Sequence, residues 1–233
     1  MMNLLVISGG GHPYHESTPV LLDFLGKDGH QVKMTEDASI LTTDEMQEFD
    51  ALVFNTRREF DAARDMDMTL EENERVALSQ YVGGGHGFVC IHISGCRPTD
   101  WREYHDITGG GWISGESYHP PYGQFTVNVS NSDHPCAEGL EDFVTNDELY
   151  MNIATLTGND VFLTGASEDG THAWGADRAP TFMPGGTYDL AWTRAYGNGK
   201  VFKTTLGHNG LSFHTPQFQR LILNGVNWVT DKG

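Results

Sequence analysis

Cysteine is scarce in this chain: Cys90, Cys96 and Cys136 are the three thiols among 233 residues. That is too few for a disulfide framework, and none of them is paired at a zinc-binding spacing. Basic residues are also few, 14 Lys and Arg against 32 Asp and Glu, leaving a net charge of −18. Phosphate binding needs a cationic footprint, so nucleic acid and anionic membrane surfaces are disfavoured as partners, and neither is expected. Long apolar runs are missing too. No segment approaches the ~20 apolar residues of a membrane span. Met1 to Ile7 has no basic flank and too short an apolar core for a signal peptide. Reduced thiols and a cytoplasmic location are expected.

Glycine, in contrast, is abundant at 28 residues, and much of it punctuates an alternation of strand and helix. Leu4 to Ser8 reads as a first buried strand, followed by Gly9-Gly10-Gly11. Thr18 with Pro19 then predicts a helix start, with Val20, Leu21, Phe24 and Leu25 on one face. Gln31 to Met34 and Ala51 to Asn55 read as strands two and three. The capping-box patterns Thr42-x-x-Glu45 and Thr69-x-x-Glu72 predict two more helix starts. The second of these helices has Val76, Leu78 and Tyr81 as candidate inward residues. Gly87 to Ile91 is a fully buried strand, apolar throughout.

A β-α alternation of this kind predicts a doubly wound, mostly parallel sheet in an α/β fold. A short helix is expected through Trp101 and Tyr104, ending at Gly109-Gly110-Gly111. Beyond it the helical period is lost and the chain turns β-rich. Strands are expected at Gln124–Val129, Val161–Leu163, Leu190–Trp192 and Lys200–Thr205, with a Gly/Asp/Pro-rich loop from Ser167 to Thr187. A last helix starts at Thr215-Pro216. No linker or internal repeat divides the chain, so residues 1–233 are read as one domain.

Histidines gather after the predicted strands. His12 and His15 follow strand one, His92 ends strand four, and His208 follows the strand at Lys200–Thr205. Ligand crevices of open α/β sheets lie outside the carboxyl ends of the strands. Imidazoles converging there can bind a metal or move protons near neutral pH. His15, His92 and His208 are the candidate metal ligands, for zinc or manganese. His92, His15 and Glu148 are the candidate catalytic groups. His119, Tyr150, Trp101 and His208 are the candidate substrate-binding residues, with Trp112 a further aromatic able to stack on a ligand. Asp147 is expected to cap or turn the chain rather than react. The loop Gly9-Gly10-Gly11-His12-Pro13 lacks G-x-G-x-x-G spacing, and Pro13 removes an N–H, so no nucleotide is expected. No Ser or Cys sits between glycines at the elbow after strand four. A Ser94 or Cys90 nucleophile is therefore disfavoured.

The ordered set of motifs resembles the ThuA-like family, named for trehalose utilisation. The matching pieces are the glycine loop with His15, Gly87-Phe88-Val89-x-Ile91-His92, Trp101-x-x-Tyr104 and His119-Pro120. Asp133-His134-Pro135, Asp147-Glu148-Leu149-Tyr150, Tyr196-Gly197-x-Gly199-Lys200 and Leu206-Gly207-His208 complete them. This resemblance implies a flavodoxin-like three-layer fold similar to class I glutamine amidotransferases. It also implies that His92 stands close to where those enzymes keep a cysteine, and that their activity is lost. The expected function is an enzyme of carbohydrate metabolism acting on a disaccharide, keto-sugar or glycoside. It would use histidine acid/base or metal-assisted chemistry. A non-catalytic sugar-binding or regulatory module is the alternative. The partner is then a small carbohydrate, and a homo-oligomer is left open.

Overall fold

The computed structural model describes residues 1–173 and 179–231. Its first half is built as the alternation predicts. Strands β1 (Asn3–Gly9), β2 (Gln31–Thr35), β3 (Ala51–Thr56) and β4 (Gly87–Ile91) pair in parallel. The β-rich second half supplies β5 (Gly123–Val129), β6 (Phe143–Asp147), β7 (Asp160–Ser167), β8 (Gly186–Tyr196) and β9 (Gly199–Thr204). All nine form one sheet in the order β2-β1-β3-β4-β9-β8-β7-β5-β6. Strand β9 pairs in parallel with β4. The five strands β2-β1-β3-β4-β9 therefore make the wound, parallel part with the flavodoxin-like order. The antiparallel ladder β8-β7-β5-β6 extends it.

Both faces of the parallel part are covered, which is why its strands are apolar throughout rather than alternating. Leu4, Val6, Val53 and Val89 face α1 (Tyr14–Lys27) and the last helix, Pro216–Thr230. Leu5, Ile7, Leu52, Phe54 and Phe88 face α2 (Glu72–Gly83) and α3 (Tyr104–Thr108). The last helix starts as its sequence dictates, with Thr215 at the cap position and Pro216 first in the helix.

Three helix starts differ from expectation. Helix α1 begins at Tyr14, and Pro19 lies inside it. The Thr18 hydroxyl does not cap; it lies 2.6 Å from Ser8 Oγ and accepts from Asn55 Nδ2, tying the helix to two strand ends. Helix α2 is capped by Glu71 and Glu74 instead of Thr69 and Glu72, and Val76 faces solvent while Leu78 and Tyr81 are buried. Around Thr42 the chain makes short 3-10 turns, and Glu45 pairs with Lys33 instead of closing a capping box. In the loop 167–187 a small hairpin joins Gly170–His172 to Thr181–Met183; residues 174–178 of that loop lie outside the described residues.

Candidate functional site

Three loops at the carboxyl edge of the parallel strands converge on one hollow. The first follows β1. Gly9 and Gly10 take φ of +94° and +109°, which glycine adopts without strain. A Cβ on Gly10 would stand 2.2 Å from the Arg57 carbonyl oxygen, so this loop lies directly against the chain after β3. The next side chain, His12, enters the hollow. The second loop follows β4, where His92 itself has φ +52° and opens a 3-10 turn to Gly95. A non-glycine residue in that region costs energy that the surroundings must supply. Here the buried Lys203 ammonium donates to the His92 carbonyl. The third loop follows β9 and carries Gly207, with φ +114°, and His208.

Edge strand β6 delivers the carboxylates. It sits at the far end of the sheet order, yet its last residue meets the loop after β9. Buried Asp147 accepts from the Gly207 N–H at 2.7 Å and the His208 N–H at 3.2 Å. Its role is thus to fix the His208 loop, in line with the expectation that it would shape the chain. Glu148, the next residue, turns into the hollow. Its Oε2 lies 3.2 Å from His208 Nδ1 and 3.4 Å from His92 Nε2, and its Oε1 lies 3.5 Å from His119 Nε2.

The tautomers follow from the outer contacts, since a neutral imidazole donates from one nitrogen and accepts at the other. His92 Nδ1 lies 2.6 Å from the Thr205 carbonyl oxygen, His12 Nδ1 3.0 Å from that of Gly11, and His119 Nδ1 2.6 Å from that of Pro120. Carbonyls only accept, so in each case Nδ1–H donates and the Nε2 lone pair is left facing inward. His12 Nε2 is buried with no hydrogen-bond partner, and His208 Nδ1, close as it is to Glu148, is not aligned for a hydrogen bond. His12, His92, His208 and Glu148 each offer one donor atom, and the four atoms lie within 4.8 Å of one another.

Charge follows geometry. Burial opposes ionisation of Glu148, but His208 and His92 outweigh it and hold the carboxyl well below the usual range. Burial, with His92 and His208 adding to it, lowers His12 to about 3. Burial likewise lowers His119, against the pull of Glu148. His208 goes the other way: burial opposes its charge, yet Glu148 raises it above the ordinary value. The result is one anion, Glu148, one imidazole, His208, that holds its proton readily, and two, His12 and His119, whose protonation burial opposes.

Beside this group lies a cavity of about 410 Å³ lined by Arg57, Trp112, His119, Glu148 and Tyr150, among others. Trp112 packs on Tyr150 with ring centroids 4.6 Å apart. The Tyr150 phenol lies 2.7 Å from His92 Nε2. Tyr122 covers His208, with ring centroids 5.2 Å apart.

Of the residues singled out in the sequence, the structure brings together His92, His208, Glu148, His119 and Tyr150, with Trp112. It does not bring His15. That side chain is 81% exposed on the first turn of α1, against Glu16, and His12 stands where His15 was expected. Nor does it bring Trp101, which packs on Tyr104 under Arg75 in the core on the α2 side. Arg57 was missed because an arginine after a strand carries no motif of its own. Ser94 and Cys90 are structural: Ser94 Oγ donates to the Phe54 carbonyl and accepts from the Thr56 N–H, and Cys90 is fully buried with its thiol pushed up by burial.

The family model for ThuA, described as trehalose utilisation, matches residues 3–229. The chain belongs to this family. Among solved structures, a protein described as ThuA-like from Parabacteroides merdae is 21% identical with a TM-score of 0.76, covering 98% of this chain and 90% of that one. A second such protein, from Bacteroides uniformis, is 18% identical with a TM-score of 0.73, covering 99% and 91%. A cytoplasmic protein of Salmonella typhimurium is 14% identical with a TM-score of 0.63, covering 98% and 99%. These neighbours share the α/β fold with its large wound sheet and added strands. None of the curated proteins matches the chain. No helix among the described residues is long and apolar enough to cross a membrane.

Proposed function

We propose that this ThuA-family chain is a carbohydrate enzyme that acts on a disaccharide or keto-sugar through a divalent cation, zinc or manganese. His12, His92, His208 and Glu148 would hold the ion. The observation that carries this reading is the inward set of four donor atoms, one of them the buried and unpartnered His12 Nε2. A buried polar atom without a partner is costly, and a cation would satisfy it. Three imidazoles and a carboxylate suit zinc, and the carboxylate oxygen among them is a donor that manganese also accepts. The 3.2 and 3.4 Å separations around Glu148 are close to the ~3.3 Å between neighbouring ligands that ~2.0 Å bonds give in a tetrahedral site.

When bound, the ion would polarise a substrate carbonyl or hydroxyl oxygen. The chain's own groups do the rest. His119, kept neutral and lining the cavity, accepts a proton at Nε2 from a substrate C–H or O–H. Glu148 Oε1, 3.5 Å from that nitrogen, stabilises the imidazolium that results. Trp112 and Tyr150 offer ring faces for a sugar to stack on. Arg57, held by Glu59, reaches the same cavity with a guanidinium edge able to donate to substrate oxygens. Loss of amidotransferase chemistry fits the same site. The elbow residue is His92, and the nearby Cys96 thiol is buried; burial, with Glu59 beside it, pushes the thiol well above its ordinary range and holds it un-ionised.

A turnover screen tests this reading. Zinc- or manganese-loaded protein is incubated with disaccharides and their keto derivatives, and the products are followed by mass spectrometry. Conversion by the wild type is expected, with a loss of roughly 100-fold or more in His119→Gln, the scale of a missing acid/base group. Saturable binding of such a sugar with no conversion in any loaded form contradicts the enzyme reading and favours a binding module.

A further inference from the structure

The Tyr150–His92 contact is in direct conflict with the cation set. His92 Nδ1–H is committed to the Thr205 carbonyl, so Nε2 has a single lone pair, and the Tyr150 O–H lies 2.7 Å from it. Glu148 Oε2 and Tyr150 Oη thus both approach the same nitrogen, from 3.4 and 2.7 Å. A lone pair that accepts a hydrogen bond cannot at the same time bind a metal ion. Tyr150 is fully buried, and a phenol keeps its proton at neutral pH. It therefore meets His92 as a neutral donor.

We propose that Tyr150 is a placeholder for the cation: its O–H occupies the His92 lone pair until a divalent ion takes it. Ion binding then frees the phenol O–H to donate into the cavity that Tyr150 lines with Trp112, His119 and Arg57. Loading of the site and arming of a hydrogen-bond donor for a substrate oxygen become one event. No covalent bond changes; one hydrogen bond is exchanged for a metal–nitrogen bond at Nε2 and a new phenol partner in the cavity. The inference rests on the cation reading above, and it assigns to Tyr150 a part that stacking on a sugar does not require.

Removing the placeholder should tighten ion binding. A net hydrogen bond is worth about 0.5–1.5 kcal/mol, so Tyr150→Phe is expected to bind zinc about 2- to 10-fold more tightly than wild type in calorimetric titrations. Equal or weaker binding by Tyr150→Phe, with the wild type still taking one equivalent, overturns this inference and leaves the cation reading standing. A wild type that takes up no zinc overturns both. Should Tyr150→Phe fail to fold, proton NMR of the wild type decides. The buried Tyr150 hydroxyl proton, protected by His92 in the zinc-free protein, is expected to shift or exchange away when zinc is added. A hydroxyl signal unchanged at saturating zinc overturns the inference.

Discussion

At the scale of single residues the site depends on which nitrogen of each imidazole faces inward, and backbone carbonyls decide that. Gly11, Thr205 and Pro120 each take an Nδ1–H, leaving Nε2 of His12, His92 and His119 toward the hollow. Since metal ligands must be deprotonated, and Glu148 raises His208, ion affinity should fall steeply below neutral pH. Zinc titrations at pH 6 and 8 are expected to show at least about tenfold weaker binding at the lower value; a flat profile contradicts the assignment of His208.

His105 tests the same logic outside the site. It is buried against the Gly95 carbonyl, and burial lowers it to about 4. Between that value and the unfolded value near 6.5 the unfolded chain binds the extra proton, so stability is lost as pH falls through this window. Urea unfolding should therefore show wild type losing up to about 3 kcal/mol relative to His105→Gln from pH 6.5 to pH 4. A difference between the two that does not change with pH contradicts this.

At the scale of elements, function sits on loops whose shapes are fixed by backbone contacts. Gly10→Ala would drive a Cβ to 2.2 Å from the Arg57 carbonyl at a φ of +109°. It is expected to cost ~2 kcal/mol or more and to displace His12, as read by thermal unfolding and loss of zinc binding. Asp147→Asn removes no imidazole, but its amide nitrogen donates rather than accepts, so one of the two N–H groups of the His208 loop loses its acceptor. A cost of about 1–3 kcal/mol is expected, with weakened zinc binding although no ligand has been removed.

Elements also show what a sequence can carry. Buried apolar runs such as Leu4–Ser8 and Gly87–Ile91 name their strands because the sheet is covered on both faces. Helix starts were less legible. The hydroxyl of Thr18 looks like a cap until Ser8 and Asn55 are seen to claim it. The same limit separates His12 from His15. Both follow the glycine loop, but Pro13 leads into the helix at Tyr14, which leaves His12 on the loop and carries His15 round to solvent.

At the scale of the whole molecule, the decisive feature is that a strand at one end of the sheet order returns to meet loops at its centre. Sequence places Glu148 near no particular histidine; the pairing of Asp147 with Gly207 and His208 does so, across 60 residues of chain. The wound half was readable from alternation, whereas the closure of β6 onto the β9 loop depends on tertiary contacts that no local pattern encodes. The net charge of −18 belongs to this scale as well. Self-repulsion of that size is screened by salt, so the melting temperature should rise between 0.05 and 1 M sodium chloride. An unchanged or falling value would show that the acidic groups are already balanced locally.

The central claim is that His12, His92, His208 and Glu148 hold one divalent ion and that His15 does not take part. Metal content by mass spectrometry, measured on zinc-equilibrated wild type, His12→Ala and His15→Ala, tests it most directly. One equivalent is expected in wild type and in His15→Ala, and little or none in His12→Ala. Full occupancy in His12→Ala, or none in wild type, would contradict it.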